Sequence, residues 1–155
     1  MDVRPLDAQD LELICRHREA MFREAGRDEA TLRTMTTHFR EWLEPRLANG
    51  AYFGYVLSEQ DLAVAGIGLM LIDWPPHPMH PETGLRGYVL NVYVEPRARR
   101  RGLARLLMQL ADDEFARRGV TYAILHATEQ GRPLYERLGW AGTTEMAKTL
   151  PAAPL

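Results

Sequence analysis

The chain has 155 residues, 46% hydrophobic and 26% charged, a size and composition that build one globular domain with a real core and exclude a disordered chain. The formal charge of -2 at pH 7 argues against a general nucleic-acid or membrane-surface role, and the single Cys15 excludes an internal disulfide. Met1–Asp10 carries no apolar run, so no signal peptide is expected, and a soluble cytoplasmic protein is the plain expectation.

In chain order, Asp7 reads as a helix N-cap, and Leu11, Ile14, Met21, Phe22 and Ala25 keep mostly to one helical face up to Gly26. Cys15 falls among the apolar positions of that helix, as a buried thiol does. Leu32, Met35, Phe39, Trp42, Leu43 and Leu47 recur at spacings of three and four, which predicts a second amphipathic helix. Pro45 is expected to kink that helix or end it early. Ala51 to Leu57 and Leu62 to Ile72 read as a hairpin turning through Ser58 to Asp61. Asp73 to Gly87, rich in Pro and His and without periodicity, reads as a loop.

Tyr88 to Glu95 is dense in β-branched and aromatic residues, a buried strand ended by Pro96. From Gly102 the period becomes helical through Leu103, Leu106, Leu107, Leu110, Ala111 and Phe115, and Gly119 caps the end. Val120 to Ala127 is another strand, Pro133 suits the first turn of a short helix ending at Gly139, and Trp140 to Leu150 reads as one or two closing strands. The predicted order is β-α-α-β-β-β-α-β-α-β(β), an α/β fold with a mixed sheet between helices.

The junction from Val92 to Ala104 carries the chemistry. A strand runs into a basic turn, Arg97 to Arg101, and Gly102 opens a helix. The first N–H groups of a helix lack intrahelical partners and the dipole adds partial positive charge, so this is a candidate phosphate site. It is neither a P-loop, lacking Gly-Lys-Ser/Thr, nor a dinucleotide fingerprint, having one glycine where three are needed. Taken alone, the run also fits a solvated set of arginines beside an ordinary helix.

The stretch Arg99-x-x-Gly102-x-Ala104 after Val-x-Val-x-Pro resembles the Arg/Gln-x-x-Gly-x-Gly/Ala motif of the Gcn5-related N-acetyltransferase (GNAT) superfamily. Leu134-Tyr135-Glu136-Arg137-Leu138-Gly139-Trp140 is similar to that family's second block, a tyrosine-led helix ending in Gly and an aromatic. The resemblance is specific from about Tyr88 to Trp140 and implies one acetyltransferase domain over 1–155, with a mostly antiparallel, splayed sheet. It implies acetyl-CoA as cosubstrate, an amine as acceptor, direct attack in a ternary complex, and no metal. It further implies that Val92, Tyr93 and Val94 offer backbone groups to the pantetheine arm. Arg99, Arg100, Arg101, Gly102, Leu103, Ala104 and Arg105 would surround the pyrophosphate, and Tyr135 would protonate the departing thiolate. Thr128 stands where the family often has an asparagine that bonds pantetheine, and Ala123 where some relatives have a glutamate base. Base candidates are therefore Glu95, Asn91, His126, Glu129, Asp73 or a water.

His77 and His80 lie in a Pro-rich segment without a third ligand nearby, which reads as a rigid loop rather than a metal site. The amine is expected between the two N-terminal helices and the loop, with Trp74, His77 and His80 as a wall and Asp73, Glu24 and Asp28 as charges. The same loop could instead cover a sheet edge or contact a second subunit of a homodimer. Two other classes stay open: a non-catalytic acyl-CoA sensor on the same fold, and a nucleic-acid module using the arginines. Turnover with an amine separates the first, and salt-dependent oligonucleotide affinity the second.

Overall fold

In the computed structural model, which describes residues 1–154, five strands lie side by side in chain order: β1 (Asp2–Pro5), β2 (Tyr52–Glu59), β3 (Leu62–Asp73), β4 (Leu85–Val94) and β5 (Ala123–Leu125). The first four pair antiparallel; β5 joins β4 in parallel. A parallel neighbour needs a crossover, which α3 (Leu103–Arg117) supplies. The hairpin between β2 and β3 turns at Gln60 and Asp61, both with positive φ.

The two faces of the sheet are covered differently. On one, α1 (Leu11–Glu24) and α2 (Glu29–Ala48) bury Ile14, Cys15, Phe39, Leu43 and Leu47 with Tyr52. On the other, Leu103, Leu107, Met108, Ala111 and Phe115 of α3 pack on Leu57, Ile67, Leu69 and Val89. Asp7 caps a short 3₁₀ turn, Ala8–Asp10, that feeds α1; its carboxylate accepts from the Gln9 N–H at 2.8 Å. Pro45 does not end α2, which runs to Ala48. The proline stands in the last turn, where one missing N–H is a small loss against the burial of Leu43 and Leu47.

The expected closing strands across Trp140 to Leu150 are absent: no described residue after β5 lies in a strand. The large apolar side chains of that stretch beyond Trp140, Met146 and Leu150, are 94% and 72% exposed. A strand without a face to bury gains too little to offset backbone ordering. Among the described residues no helix is long and apolar enough to cross a membrane.

The register between β3 and β4 shifts once. Gly66 pairs with Tyr93 and Gly68 with Leu90, so two steps on β3 match three on β4. The extra residue makes a bulge at Asn91, whose φ is 55°, a conformation asparagine tolerates better than most side chains. Leu90 packs in the α1/α2 layer and Asn91 donates to Tyr52 Oη there at 2.9 Å, while Val92 and Val94 pack on the α3 side.

Gly68 leaves the space that Tyr52 fills: a Cβ at this position would stand 1.9 Å from the phenol oxygen. Because Asn91 holds that oxygen, the ring cannot swing aside freely. Gly68→Ala is expected to destabilise the protein by about 1–3 kcal/mol in urea melts. Combining it with Tyr52→Phe should recover part of the loss. A change under about 0.5 kcal/mol would show that the sheet yields there.

Candidate active site

The β4–β5 pairing covers only Gly87 to Val89 against Ala123 to Leu125. Beyond it β4 continues to Val94, while the segment after β5 turns away through His126 to Gly131 towards α4 (Arg132–Arg137). The strands therefore diverge and leave a cleft of about 1120 Å³. Its walls are Tyr88–Val94 of β4, Ala98–Arg100 and Gly102–Arg105 of the turn into α3, His126–Gly131 with Leu134, Tyr135 and Arg137, and Arg18, Met21, Phe22, Glu24, Ala25 and Arg27.

At one end of the cleft is the start of α3. Gly102 is its N-cap residue with φ 76°, and no side chain caps the helix. Arg100 also has positive φ, 61°, so the chain folds back sharply before the helix begins. The first N–H groups of α3 are thus left for an external acceptor, and a Cβ added at Gly102 would meet no atom within 4 Å.

The arginines of this turn divide into two kinds. Arg99 is bound to Glu24 of α1 at 2.7 and 2.9 Å and to the Val94 carbonyl at 2.9 Å. Tyr93 Oη also donates to Glu24, at 3.1 Å, so this carboxylate ties α1 to the turn. Arg101 pairs with Glu59 and is not among the residues lining the cleft. Arg100 and Arg105 do line it and make no ion pair among the described residues.

Tyr135 borders the cleft from α4, edge-on to Trp140 with ring centroids 6.5 Å apart. Burial pushes its phenol above the ordinary tyrosine value, so it keeps its proton. Thr128 also lines the cleft, but its Oγ1 accepts from the Gly131 N–H at 3.1 Å, in the turn that leads into α4. Its own O–H stays available as a donor.

Of the base candidates, Asn91, His126 and Glu129 line the cleft, whereas Glu95 and Asp73 do not. His126 stands edge-on to Tyr88, with centroids 5.9 Å apart. Glu95 faces the buried His17, whose Nε2 is 3.1 Å from Oε1. Desolvation pushes His17 below the usual histidine range, so the pair is a neutral imidazole donating to a carboxylate.

The expected wall for the amine does not form. Trp74, His77 and His80 lie away from the cleft, and Asp28 caps α2 through the Thr31 N–H at 3.0 Å. The Pro-rich loop packs around Arg86, which stacks on Trp74 at 4.1 Å and donates to His80 Nε2 at 2.9 Å. His80 Nδ1 meets the Thr83 carbonyl at 2.8 Å, which leaves no lone pair for a metal. Among the described residues no group of three His, Cys, Asp or Glu side chains could hold one. The loop joins β3 to β4 at the end where β4 and β5 are still paired, and the cleft opens only beyond that pairing.

The sequence reading missed Arg18, Met21 and Phe22 as cleft residues. Arg18 offered a signal: it interrupts the apolar stripe of Leu11, Ile14, Met21, Phe22 and Ala25 at a core-facing position.

A family model described as "Acetyltransferase (GNAT) family" matches residues 12–140. The crystal structure of a GCN5-related N-acetyltransferase from Ralstonia eutropha JMP134 is 60% identical, covering 96% of this chain and 97% of that one at a TM-score of 0.95. A predicted acetyltransferase from Clostridium acetobutylicum, solved with acetyl-CoA, is 25% identical over 96% and 95% of the two chains, TM-score 0.87. An aminoglycoside antibiotic 6'-N-acetyltransferase from Acinetobacter haemolyticus shares the fold at 18% identity, over 99% and 100% of the chains, TM-score 0.70. No curated protein matches the chain significantly.

Proposed function

The chain belongs to the acetyltransferase (GNAT) family and transfers an acetyl group from acetyl-CoA to an amine, and we propose that the cleft between β4 and β5 is where it does so. The observation that carries this reading is the open edge of β4 leading to the uncapped, left-handed Gly102 at the start of α3. A pyrophosphate would sit on the free N–H groups of Leu103, Ala104 and Arg105, and Arg100 and Arg105 would supply charge. Arg99 and Arg101 act differently in this reading. Each already holds a carboxylate, so they brace the turn against α1 and β2 and add long-range positive potential.

From that anchor, pantetheine would extend along Val94, Tyr93 and Val92 as an added strand on the unpaired edge, with the Thr128 hydroxyl opposite. The thioester then falls at the bulge, where the irregular backbone frees an N–H to polarise its carbonyl. The amine nitrogen attacks the carbonyl carbon, the C–S bond breaks, and the thiolate takes the proton of Tyr135. The proton lost by the amine passes to a cleft base or to water; His126 and Glu129 border the cleft from the segment that follows β5. We read 1–155 as one catalytic domain, because the helices that carry the anchor and the tyrosine, α3 and α4, follow neighbouring strands of a single sheet.

The test is an amine panel with acetyl-CoA, followed by free thiol. Thiol release that requires an amine, with intersecting initial-rate patterns, is expected for direct attack. Stoichiometric thiol release without amine would instead indicate an acetylated enzyme, and binding of acetyl-CoA without turnover of any amine would indicate a sensor.

A further inference from the structure

Arg18 lies two turns into α1, with its guanidinium 5.0 Å from the centre of Phe22 and 4.7 Å from that of Phe39. Nη1 donates to Asn91 Oδ1 at 2.7 Å. Nε is buried without a hydrogen-bond partner, and Nη2 makes no hydrogen bond among the described residues. No carboxylate of the described residues pairs with it. Other arginines facing α1 differ: Arg99 and Arg40 each hold a glutamate.

A half-buried guanidinium with no counter-ion is costly, and such a group normally finds an anion. Arg18 nevertheless borders the cleft, beside Tyr88, Leu90 and Asn91, at the end remote from Gly102. Nη2, without a protein partner and not buried as Nε is, is the donor of the planar fork that a carboxylate entering the cleft would meet in a charge-assisted hydrogen bond. Met21 and Phe22 supply apolar wall next to it. Resting on the reading that the thioester lies at the Asn91 bulge, we propose that Arg18 anchors a carboxylate on the acetyl acceptor. The acceptor is then a small amino acid or a similar amine that also carries an acid group. Polyamines and aminoglycosides, all cation and no anion, would meet an uncompensated positive charge there.

The competing role for Arg18 is structural: it holds Asn91, and through it the bulge. Free α- and ω-amino acids and their matched carboxamides are titrated by calorimetry with and without CoA, and assayed with acetyl-CoA by thiol release. At least one acid is expected to bind and react about 10²-fold better than its amide. In Arg18→Gln that preference should fall to within about threefold while acetyl-CoA affinity is kept. Arg18→Lys keeps the charge but not the fork, and should retain only part of the preference; it also carries the test if the Gln variant unfolds. Equal treatment of acids and amides by the wild type, or a preference that survives Arg18→Gln, overturns the proposal. Equal losses for acid and amide assign Arg18 to holding Asn91 and overturn it as well. Preference for O-phosphoethanolamine over β-alanine would make the site a phosphate site instead. A failure of acetyl-CoA to bind would be seen separately, since binding of the carboxylates is also read without CoA.

Discussion

Gly102→Glu is expected to weaken acetyl-CoA binding by about 10³-fold or more, with the fold intact. The backbone at Gly102 is left-handed, φ 76°, which for another residue costs about 1–2 kcal/mol. No protein atom stands within 4 Å of an added Cβ, so the side chain can enter without collision. A carboxylate at a helix N-terminus is stabilised by the dipole and the free N–H groups. Glutamate would therefore settle where the pyrophosphate is expected and compete with it, besides repelling it. Gly102→Ala separates the two effects: it brings the backbone strain without the charge, and should weaken binding by about tenfold or less. Calorimetry with acetyl-CoA and with CoA reads both variants. Equal, small effects of Ala and Glu would mean that the phosphates bind elsewhere.

Tyr135→Phe is expected to lower kcat by about 10²-fold to 10⁴-fold while acetyl-CoA affinity changes little. The phenol proton is needed only as the C–S bond breaks, so its loss belongs to the transition state and not to ground-state binding. Burial raises the Tyr135 pKa, and the protonated phenol is the active form. Its deprotonation therefore limits the rate only at a pH above the ordinary tyrosine value of about 10. A descending limb below that, if seen, belongs to another group and should survive in Tyr135→Phe. The substitution keeps the ring against Trp140 and the Gly131 turn, so stability should hold. An unchanged kcat under rate-limiting chemistry would reduce Tyr135 to a packing residue.

Local chemistry determined a good deal of this protein. The strand ended by Pro96, the helix opened by Gly102 and the short helix with Pro133 in its first turn depend on φ restrictions and capping, which act within a few residues and can be read from the chain. The same locality made the Arg99–Ala104 motif legible before any fold was known. Other features depend on which elements meet. Four neighbouring arginines look alike in the sequence, yet Glu24 of α1 and Glu59 of β2 take up Arg99 and Arg101 and leave Arg100 and Arg105 facing the cleft.

The extra residue in β4 shows only against the register of β3, because a bulge is a mismatch between two strands. Pairing and packing likewise decided that Trp140 to Leu150 forms no strand and that the Pro-rich loop closes on Arg86. Arg18 illustrates the boundary best. Periodicity puts it on the apolar stripe of its helix, but whether a half-buried guanidinium meets a carboxylate, an amide or an open cleft is set by residues 73 positions away, at Asn91. Long-range contacts of that kind follow from how α1 packs across β4, and the sequence of α1 carries no record of what lies on the other side.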